Sequence, residues 1–100
     1  MIFDKPILIQ KQDEETLTWS DYIKLHANVN KSDQKEDFQA GATQNKRTLR
    51  FIVRYCKPLA DLADNIQIYR VVYRNVNYNI VDTDDYMEEH KTLTLIGESY

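Results

Sequence analysis

The 100-residue sequence has little cysteine, glycine or proline, and it has no long apolar run. Cys56 is the only cysteine, which excludes an intramolecular disulfide and a cysteine-based zinc site and suits a reducing cytosol. Two glycines leave no glycine-rich loop for a phosphate. No apolar run approaches the roughly 18 residues of a membrane helix, and the first residues show no signal pattern. We therefore expect no membrane contact and a protein that stays where it is made.

The size and composition are those of one small globular domain covering residues 1–100. Hydrophobic residues make up 42% and charged residues 29%, which are ordinary values for a soluble domain. Because a chain this short forms only a small hydrophobic core, we do not expect a large enzyme with a deep, enclosed active site. Seven of its eleven aromatic residues are tyrosine, a residue that is common in strands and in hydrated protein interfaces.

Charge is distributed unevenly along the chain. Residues 31–81 carry 9 basic and 5 acidic side chains, whereas residues 82–100 carry 1 basic and 6 acidic side chains. A segment of net charge +4 followed by one of −5 is compatible with head-to-tail self-association or with separate partners for two faces. Simple solvation of the domain is the alternative explanation.

Period-two alternation predicts strands in the first half of the chain. Residues 6–12 are rich in β-branched side chains and form a first strand, followed by an acidic turn. From Leu17 to Val29 apolar residues occupy alternate positions, with only Asp21 out of pattern, which predicts a second strand. Residues 48–55 form the clearest strand, since four of its apolar side chains share one face: Leu49, Phe51, Val53 and Tyr55.

The polar segment of residues 30–47 separates the second and third predicted strands. Asp33 and Glu36 have the spacing of a capping box, and Gly41 can end the helix that such a box begins. The sequence therefore predicts one short helix or a long loop between these strands.

The second half of the chain predicts three further strands. Residues 59–65 form a connector or single helical turn, and residues 66–73 form a fourth strand whose apolar phase shifts near Tyr69, which suggests a bulge. Arg74 and Asn75 form a tight hairpin turn before a fifth strand. An acidic loop, residues 82–90, then leads to a last strand at residues 92–96. About six antiparallel strands of this size close most economically into a small barrel, so the predicted fold is mainly β.

Five segments in order resemble landmarks of the phage head-tail adaptor family, also called head-closure or head-tail joining proteins. They are residues 7–10, residues 18–22 leading to 26–29, residues 49–55, the hairpin of residues 73–80, and residues 92–95. The resemblance covers nearly the whole chain. Asn75 replaces the usual glycine of the turn but tolerates the same positive φ. Leu25 and His26 replace the tryptophan that usually precedes the Ala-x-Val segment, which affects local packing.

The resemblance implies a structural protein of the virion neck with no catalytic activity and no cofactor. A ring of such proteins, dodecameric on the connector, docks beneath the portal and its adaptor protein, closes the DNA-filled head and offers a platform to the tail-completion protein. The implied partners are thus further copies of the chain, the portal or adaptor protein and the tail-completion protein, with non-specific contact to packaged DNA. Assembly would take place in the host bacterial cytoplasm. A different neck component, such as a tail-completion protein, has the same size and partners.

Two charged segments are candidate interaction sites, because loops on a rigid barrel commonly carry recognition. In the polar segment, Lys35, Lys46 and Arg47 are candidates for contacts with a neighbouring subunit or with the portal side. In the acidic segment, Asp84, Asp85 and Glu88 are candidates for contact with a basic surface on the next subunit or the tail.

A small barrel with exposed aromatics is also typical of an OB-like single-strand nucleic-acid binder. Four arginines interleave with four aromatic residues on the third and fourth strands: Arg50, Arg54, Arg70 and Arg74 with Phe51, Tyr55, Tyr69 and Tyr73. On the third strand, however, the arginines and the aromatics are predicted to lie on opposite faces, which argues against one binding surface.

Metal and catalytic sites are weakly supported by the sequence. The acidic residues from Asp82 to Glu89, with His90, could supply oxygen ligands, but they lack the glycine and the spacing of a calcium loop. Neither His26 nor His90 has a nucleophile partner that the sequence identifies. We therefore expect no metal, no cofactor and no catalytic residue.

Overall fold

A computed structural model describes residues 2–31, 47–85 and 91–99, and these residues form a closed antiparallel β-barrel. The barrel order is β1-β2-β3-β6-β5-β4. The six strands are β1 (Lys5–Gln12), β2 (Trp19–Lys31), β3 (Thr48–Arg54), β4 (Tyr69–Tyr73), β5 (Val76–Asp85) and β6 (Thr92–Ser99). The prediction of a mainly β, six-stranded antiparallel barrel is confirmed.

One short helix, α1 (Pro58–Asp64), follows β3 at the position predicted as a connector or helical turn. Pro58 occupies its first turn, where the missing N–H costs nothing, and Leu59 and Leu62 point into the core. A 3₁₀ turn (Ile66–Ile68) links α1 to β4. The helix or loop predicted between β2 and β3 falls largely on residues 32–46, which lie outside the described residues.

The core is formed by the inward faces of all six strands and by α1. Leu49, Phe51 and Val53 are buried on β3 while Arg50 and Arg54 are exposed, as the alternation predicts. The ring of Phe51 makes edge-to-face contacts with Tyr73 and Tyr78, at centroid distances of 5.7 and 5.4 Å. Aromatic packing therefore fills the centre of the barrel.

A β-bulge at Tyr22 explains the break in the pattern of β2. The register changes from Ile9 opposite Ile23 to Gln10 opposite Asp21, so Tyr22 is an extra residue on β2. Asp21 is therefore turned outward, and the Tyr22 hydroxyl donates a hydrogen bond to the carbonyl of Pro58 at 2.9 Å. The bulge thus anchors the start of α1 to the barrel.

The predicted course of the fourth strand is wrong in its first three residues. Ile66–Ile68 form the 3₁₀ turn, and β4 begins only at Tyr69. The change of apolar phase near Tyr69 therefore marks the passage from helical to extended backbone, and no bulge lies there. Register shifts are found instead in the β1–β2 and β5–β6 pairs.

The hairpin between β4 and β5 is confirmed. Arg74 and Asn75 have φ values of 53° and 64°, and Tyr73 pairs with Val76 directly across the turn. Two consecutive left-handed residues give a two-residue turn whose twist matches that of the flanking strands.

The acidic loop predicted from residue 82 is wrong in its first four residues. Residues 82–85 continue β5 and pair with β6, after a register shift at Val81. The last strand is also longer than predicted and extends to Ser99. Because Asp82 and Asp84 belong to a barrel strand, their positions are set by the sheet. Residues 86–90 lie outside the described residues.

Candidate interaction surfaces

Arg47 is held at the entrance to β3 by two hydrogen bonds between its backbone and Ser99. Its amide donates to the Ser99 hydroxyl at 2.8 Å, and the Ser99 amide donates to the Arg47 carbonyl at 2.9 Å. The residue itself is exposed. Lys35 and Lys46, the other basic candidates, lie outside the described residues.

Asp84 and Asp85 lie near the other end of β6. Asp84 is exposed and pairs with Thr94, and half-buried Asp85 pairs with Leu93. Ser99 lies five positions beyond Thr94 on β6, which corresponds to about 17 Å of extended strand. The structure therefore does not bring Arg47 and Asp84 into one site. Glu88 lies outside the described residues.

Asp82 and Asp84 share the outer surface of β5 with their partners on β6. Asp82 is opposite Ile96 and Asp84 is opposite Thr94. Val81, at the register shift beside them, is 49% exposed. We call these five residues the acidic strip: Val81, Asp82, Asp84, Thr94 and Ile96. Arg50 of β3 lies on the far side of Ile96, and both carboxylates of the strip lie on its β5 side.

A groove of about 450 Å³ runs over the outer surface of β1. Half-buried Leu8 and Val72 lie side by side on neighbouring strands, and Leu8 is also opposite Lys24 of β2. The other polar residues of the groove are His26 and the two hairpin residues Arg74 and Asn75. We call this site the basic groove: Leu8, Val72, Lys24, His26, Arg74 and Asn75.

The cations of the basic groove are not predicted as one site by the sequence. In the sequence, Arg74 is a candidate only for nucleic-acid contact, together with the neighbouring aromatics, while Lys24 and His26 belong to the polar face of a strand. Their alternation on β2 is visible in the sequence, but their proximity to Arg74 depends on the β2-β1-β4 pairing. The Arg74 guanidinium lies 5.3 Å from the centre of the Tyr73 ring, so it is braced against the barrel at the end of the groove.

A chain of polar contacts crosses the same three strands beside the basic groove. The Arg70 guanidinium lies 4.3 Å from the centre of the Trp19 ring, and its Nε donates to Gln10 Oε1 at 2.8 Å. Gln10 Nε2 in turn donates to Asp21 Oδ1 at 3.1 Å. These side chains link β4, β1 and β2 on the outer surface. The Arg70 side chain therefore makes its contacts within the barrel, which argues against a role in binding a nucleic-acid base.

The family model for the phage head completion protein matches residues 4–99. The chain belongs to that family. No curated protein matches the chain. Membership assigns it a structural role in the phage head as a component of the virion, and implies contact with other head or tail proteins. The resemblance to head-tail adaptor and closure proteins is thus confirmed at the level of the family.

The arrangement of the aromatics does not favour a nucleic-acid platform on this head completion fold. Phe51, Tyr69 and Tyr73 are core residues, and Tyr55 is half-buried. A base can stack only on a ring face that solvent reaches. The arginines and the aromatics of the OB-like alternative therefore do not combine into one surface.

A second open pocket, of about 720 Å³, lies between the β1–β2 turn and α1. Its polar groups partner one another: Lys11 Nζ lies 5.9 and 5.6 Å from the ring centres of Tyr22 and Tyr69, and 3.9 Å from a carboxylate oxygen of Asp61. The Tyr69 hydroxyl donates to the same carboxylate. Burial of Tyr69, with this hydrogen bond, raises the pKa of its phenol far above the ordinary value. These contacts hold α1 against the strands at this end of the barrel.

The β1–β2 turn itself is organised by Asp13. Its carboxylate accepts the amides of Glu15 and Thr16, at 2.7 and 3.1 Å, and these hydrogen bonds lower the pKa of the Asp13 carboxyl. Over the three described ranges, no group of three histidine, cysteine or acidic side chains comes together in a way that could hold a metal. Nor does any helix in that part of the chain have the length and apolar character to cross a membrane.

Proposed function

We propose that the protein is a non-enzymatic structural component of the virion neck. In this role, a ring of copies, dodecameric on the connector, binds beneath the portal or adaptor protein and closes the DNA-filled head. The opposite side of the ring offers a platform to the tail-completion protein. The observation that carries the proposal is the family match, which spans all six strands of the barrel.

The outer surface of the barrel supports a role in protein contacts. It carries the basic groove, the separate acidic strip and the polar contacts that link Arg70, Gln10 and Asp21. In the pocket between the β1–β2 turn and α1, by contrast, the polar side chains form an ion pair and a hydrogen bond with one another. Small contact patches gain avidity when they are repeated around a ring. Such a protein would assemble on its platform in the host bacterial cytoplasm and remain in the virion neck.

Contact with packaged DNA is a further part of the proposed role. Arg50 and Arg54 are exposed on the outer face of β3, and exposed Arg47 precedes them. Arginines along a strand neutralise phosphates without reading the bases, so the contact would be non-specific and would weaken as salt rises.

The proposal is tested by removing the protein from the phage that encodes it. We expect lysates that contain DNA-filled heads and free tails but few joined particles, and we expect the wild-type gene supplied in trans to restore joining. Electron microscopy and plaque counts measure the two effects. Infectious tailed virions formed in normal numbers without the protein would contradict the proposed function.

A matched control variant shows whether a change of net charge alone, at a site outside the acidic strip, affects joining. Exposed Glu14 and Glu15 lie on the β1–β2 turn and are not part of the acidic strip. A Glu14→Lys/Glu15→Lys variant changes the net charge as much as an Asp82→Lys/Asp84→Lys variant does, but it leaves the acidic strip intact. It should complement the deletion as well as the wild-type gene.

A further inference from the structure

The basic groove and the acidic strip lie on opposite sides of the barrel. The groove is centred on β1, and the strip covers the β5–β6 pair. In the order β1-β2-β3-β6-β5-β4, β1 and β6 are three strands apart in either direction around a closed ring of six. The carboxylates of the strip lie on β5, two strands from β1, so the two surfaces face largely away from each other.

The two surfaces are complementary in charge. Lys24 and Arg74 are exposed in the groove, and Asp82 and Asp84 are exposed on the strip. Among the described residues, none of these four side chains forms an ion pair with another. Complementary charges that meet across an interface give specificity and speed association.

The surfaces also match in their apolar parts. Leu8 and Val72 form a half-buried apolar floor in the groove, and on the strip half-buried Ile96 lies opposite Asp82, near exposed Val81. An apolar centre with a charged rim is the usual anatomy of a protein interface. Both surfaces are built on paired strands, so neither has to become ordered when it binds.

We propose that the acidic strip of one copy docks into the basic groove of the next copy. This contact joins two different surfaces of identical chains, which is the head-to-tail arrangement that closes into a ring when the rotation per contact permits closure. The inference rests on the proposed function and deepens it, because it names the surfaces through which neighbouring copies meet. The partner is a second copy of this chain.

Two charge-reversal variants test the contact. Lys24→Glu/Arg74→Glu makes the groove acidic, so that it repels an unchanged strip. Asp82→Lys/Asp84→Lys makes the strip basic, so that it repels an unchanged groove. When the two variants are mixed, an acidic groove meets a basic strip and a basic groove meets an acidic strip, so every contact in an alternating assembly is complementary again.

The solution experiment follows the ¹⁵N-labelled groove variant by NMR at low salt, at concentrations up to the millimolar range. Addition of the unlabelled strip variant should shift the amide signals of β1, β2 and the β4–β5 hairpin, together with those of the β5–β6 face. Addition of unlabelled groove variant should produce shifts at least about tenfold smaller at the same concentration. Equal shifts in both titrations, shifts elsewhere on the barrel, or no shift with the complementary partner would overturn the contact.

Far-ultraviolet circular dichroism and thermal unfolding establish that both variants are folded. Two controls carry the same charge changes at other exposed sites: Lys31→Glu/Lys57→Glu for the groove and Glu14→Lys/Glu15→Lys for the strip. Neither control should reduce self-association of the otherwise unchanged protein. A loss equal to that of the paired variant would mean that net charge, rather than the proposed contact, governs association.

The closing experiment separates this contact from the proposed function. Heads from phage lacking the protein are mixed with purified wild-type protein, with each variant, or with both variants together, and the protein retained on the sedimented heads is measured. We expect retention of wild type and of the mixture, and loss of about tenfold or more for each variant alone. Retention of each variant at the wild-type level overturns the contact and leaves the proposed function standing. Failure of the wild type itself to be retained contradicts the proposed function, and the inference that depends on it falls as well.

Discussion

Gly97 lies directly against the ring of Phe51, with room for a hydrogen atom but not for a methyl group. A Cβ at Gly97 would lie 3.0 Å from Cε2 of Phe51 and 3.0 Å from Cβ of Tyr78. Both neighbours are core residues, and Phe51 is itself packed between Tyr73 and Tyr78. The absence of a side chain at this one position of β6 therefore allows the aromatic core to close.

Gly97→Ala should accordingly destabilise the barrel by overpacking. We expect the free energy of unfolding to fall by about 1–3 kcal/mol, as is usual when a methyl group is forced into a filled core. Urea denaturation followed by circular dichroism measures the change. Thr94→Ala, on the outer face of the same strand, is the control and should change stability by about 0.5 kcal/mol or less. A Gly97→Ala protein as stable as wild type would contradict this packing.

The Trp19–Arg70 contact predicts a second stability effect. Arg70→Met keeps an unbranched side chain but removes both the cation over the indole and the hydrogen bond to Gln10, so unfolding should become easier by about 1–2 kcal/mol. Trp19 is the sole tryptophan, so its fluorescence reports the local change as well as unfolding. Arg50→Met, at an exposed position of β3, should leave both readouts nearly unchanged. Equal effects of the two substitutions would argue against a structural role for the Arg70 contacts.

Two substitutions of Asn75, a turn residue with positive φ, should change stability in opposite directions. At a φ of 64°, glycine removes the steric cost of a side chain, so Asn75→Gly should be neutral or stabilising by up to about 1 kcal/mol. Asn75→Val should destabilise by about 1–2 kcal/mol, since a β-branched residue is strained there. Asn77→Val, on regular strand β5, is the matched control. Thermal unfolding distinguishes the three variants, and an Asn75→Val protein no less stable than the control would contradict the turn geometry.

The buried hydroxyl of Tyr69 predicts a loss of stability at alkaline pH. Because the folded state raises the pKa of this phenol above the unfolded value of about 10, the folded state holds the proton more tightly. Its contribution is complete below pH 10 and declines as the pH rises beyond it. The wild-type free energy of unfolding should thus fall more steeply between pH 9.5 and about 11 than that of Tyr69→Phe.

The Tyr69→Phe comparison isolates one tyrosine, because the other tyrosines are common to both proteins. Denaturation at a series of pH values gives the two slopes. Parallel slopes would contradict a raised pKa for Tyr69. The substitution should also loosen α1, since it removes the hydrogen bond to Asp61 that helps to hold the helix.

Strand alternation in the sequence was enough to predict the barrel. On β3 each second side chain from Leu49 is buried, and on the β4–β5 hairpin Asn75 has the positive φ that the turn requires. The two departures have local causes. The 3₁₀ turn at Ile66–Ile68 is made of strand-forming residues, so composition alone favours a strand. Asp82 and Asp84 are poor strand formers, but pairing with β6 keeps them in the sheet.

The candidate surfaces were only partly predictable, because they depend on register. The position of Asp84 in an acidic segment is enough to make it a candidate from the sequence. Lys24, Leu8 and Val72 lie on three different strands, and only the pairing of β1 with both β2 and β4 brings them together. The bulge at Tyr22 also shifts one end of β2 relative to β1, which no period-two pattern foretells. A single sequence thus indicates which side chains share a face of a strand, but it does not indicate which residues lie opposite them on the neighbouring strands.

Electron cryomicroscopy of the virion neck tests the central claim most directly. We expect density for a ring of these barrels between the portal region and the tail, in which the Asp82 and Asp84 side of each barrel faces the Lys24 and Arg74 side of the next. A neck without such a ring, in virions that contain the protein elsewhere or not at all, would contradict the structural role proposed for this chain.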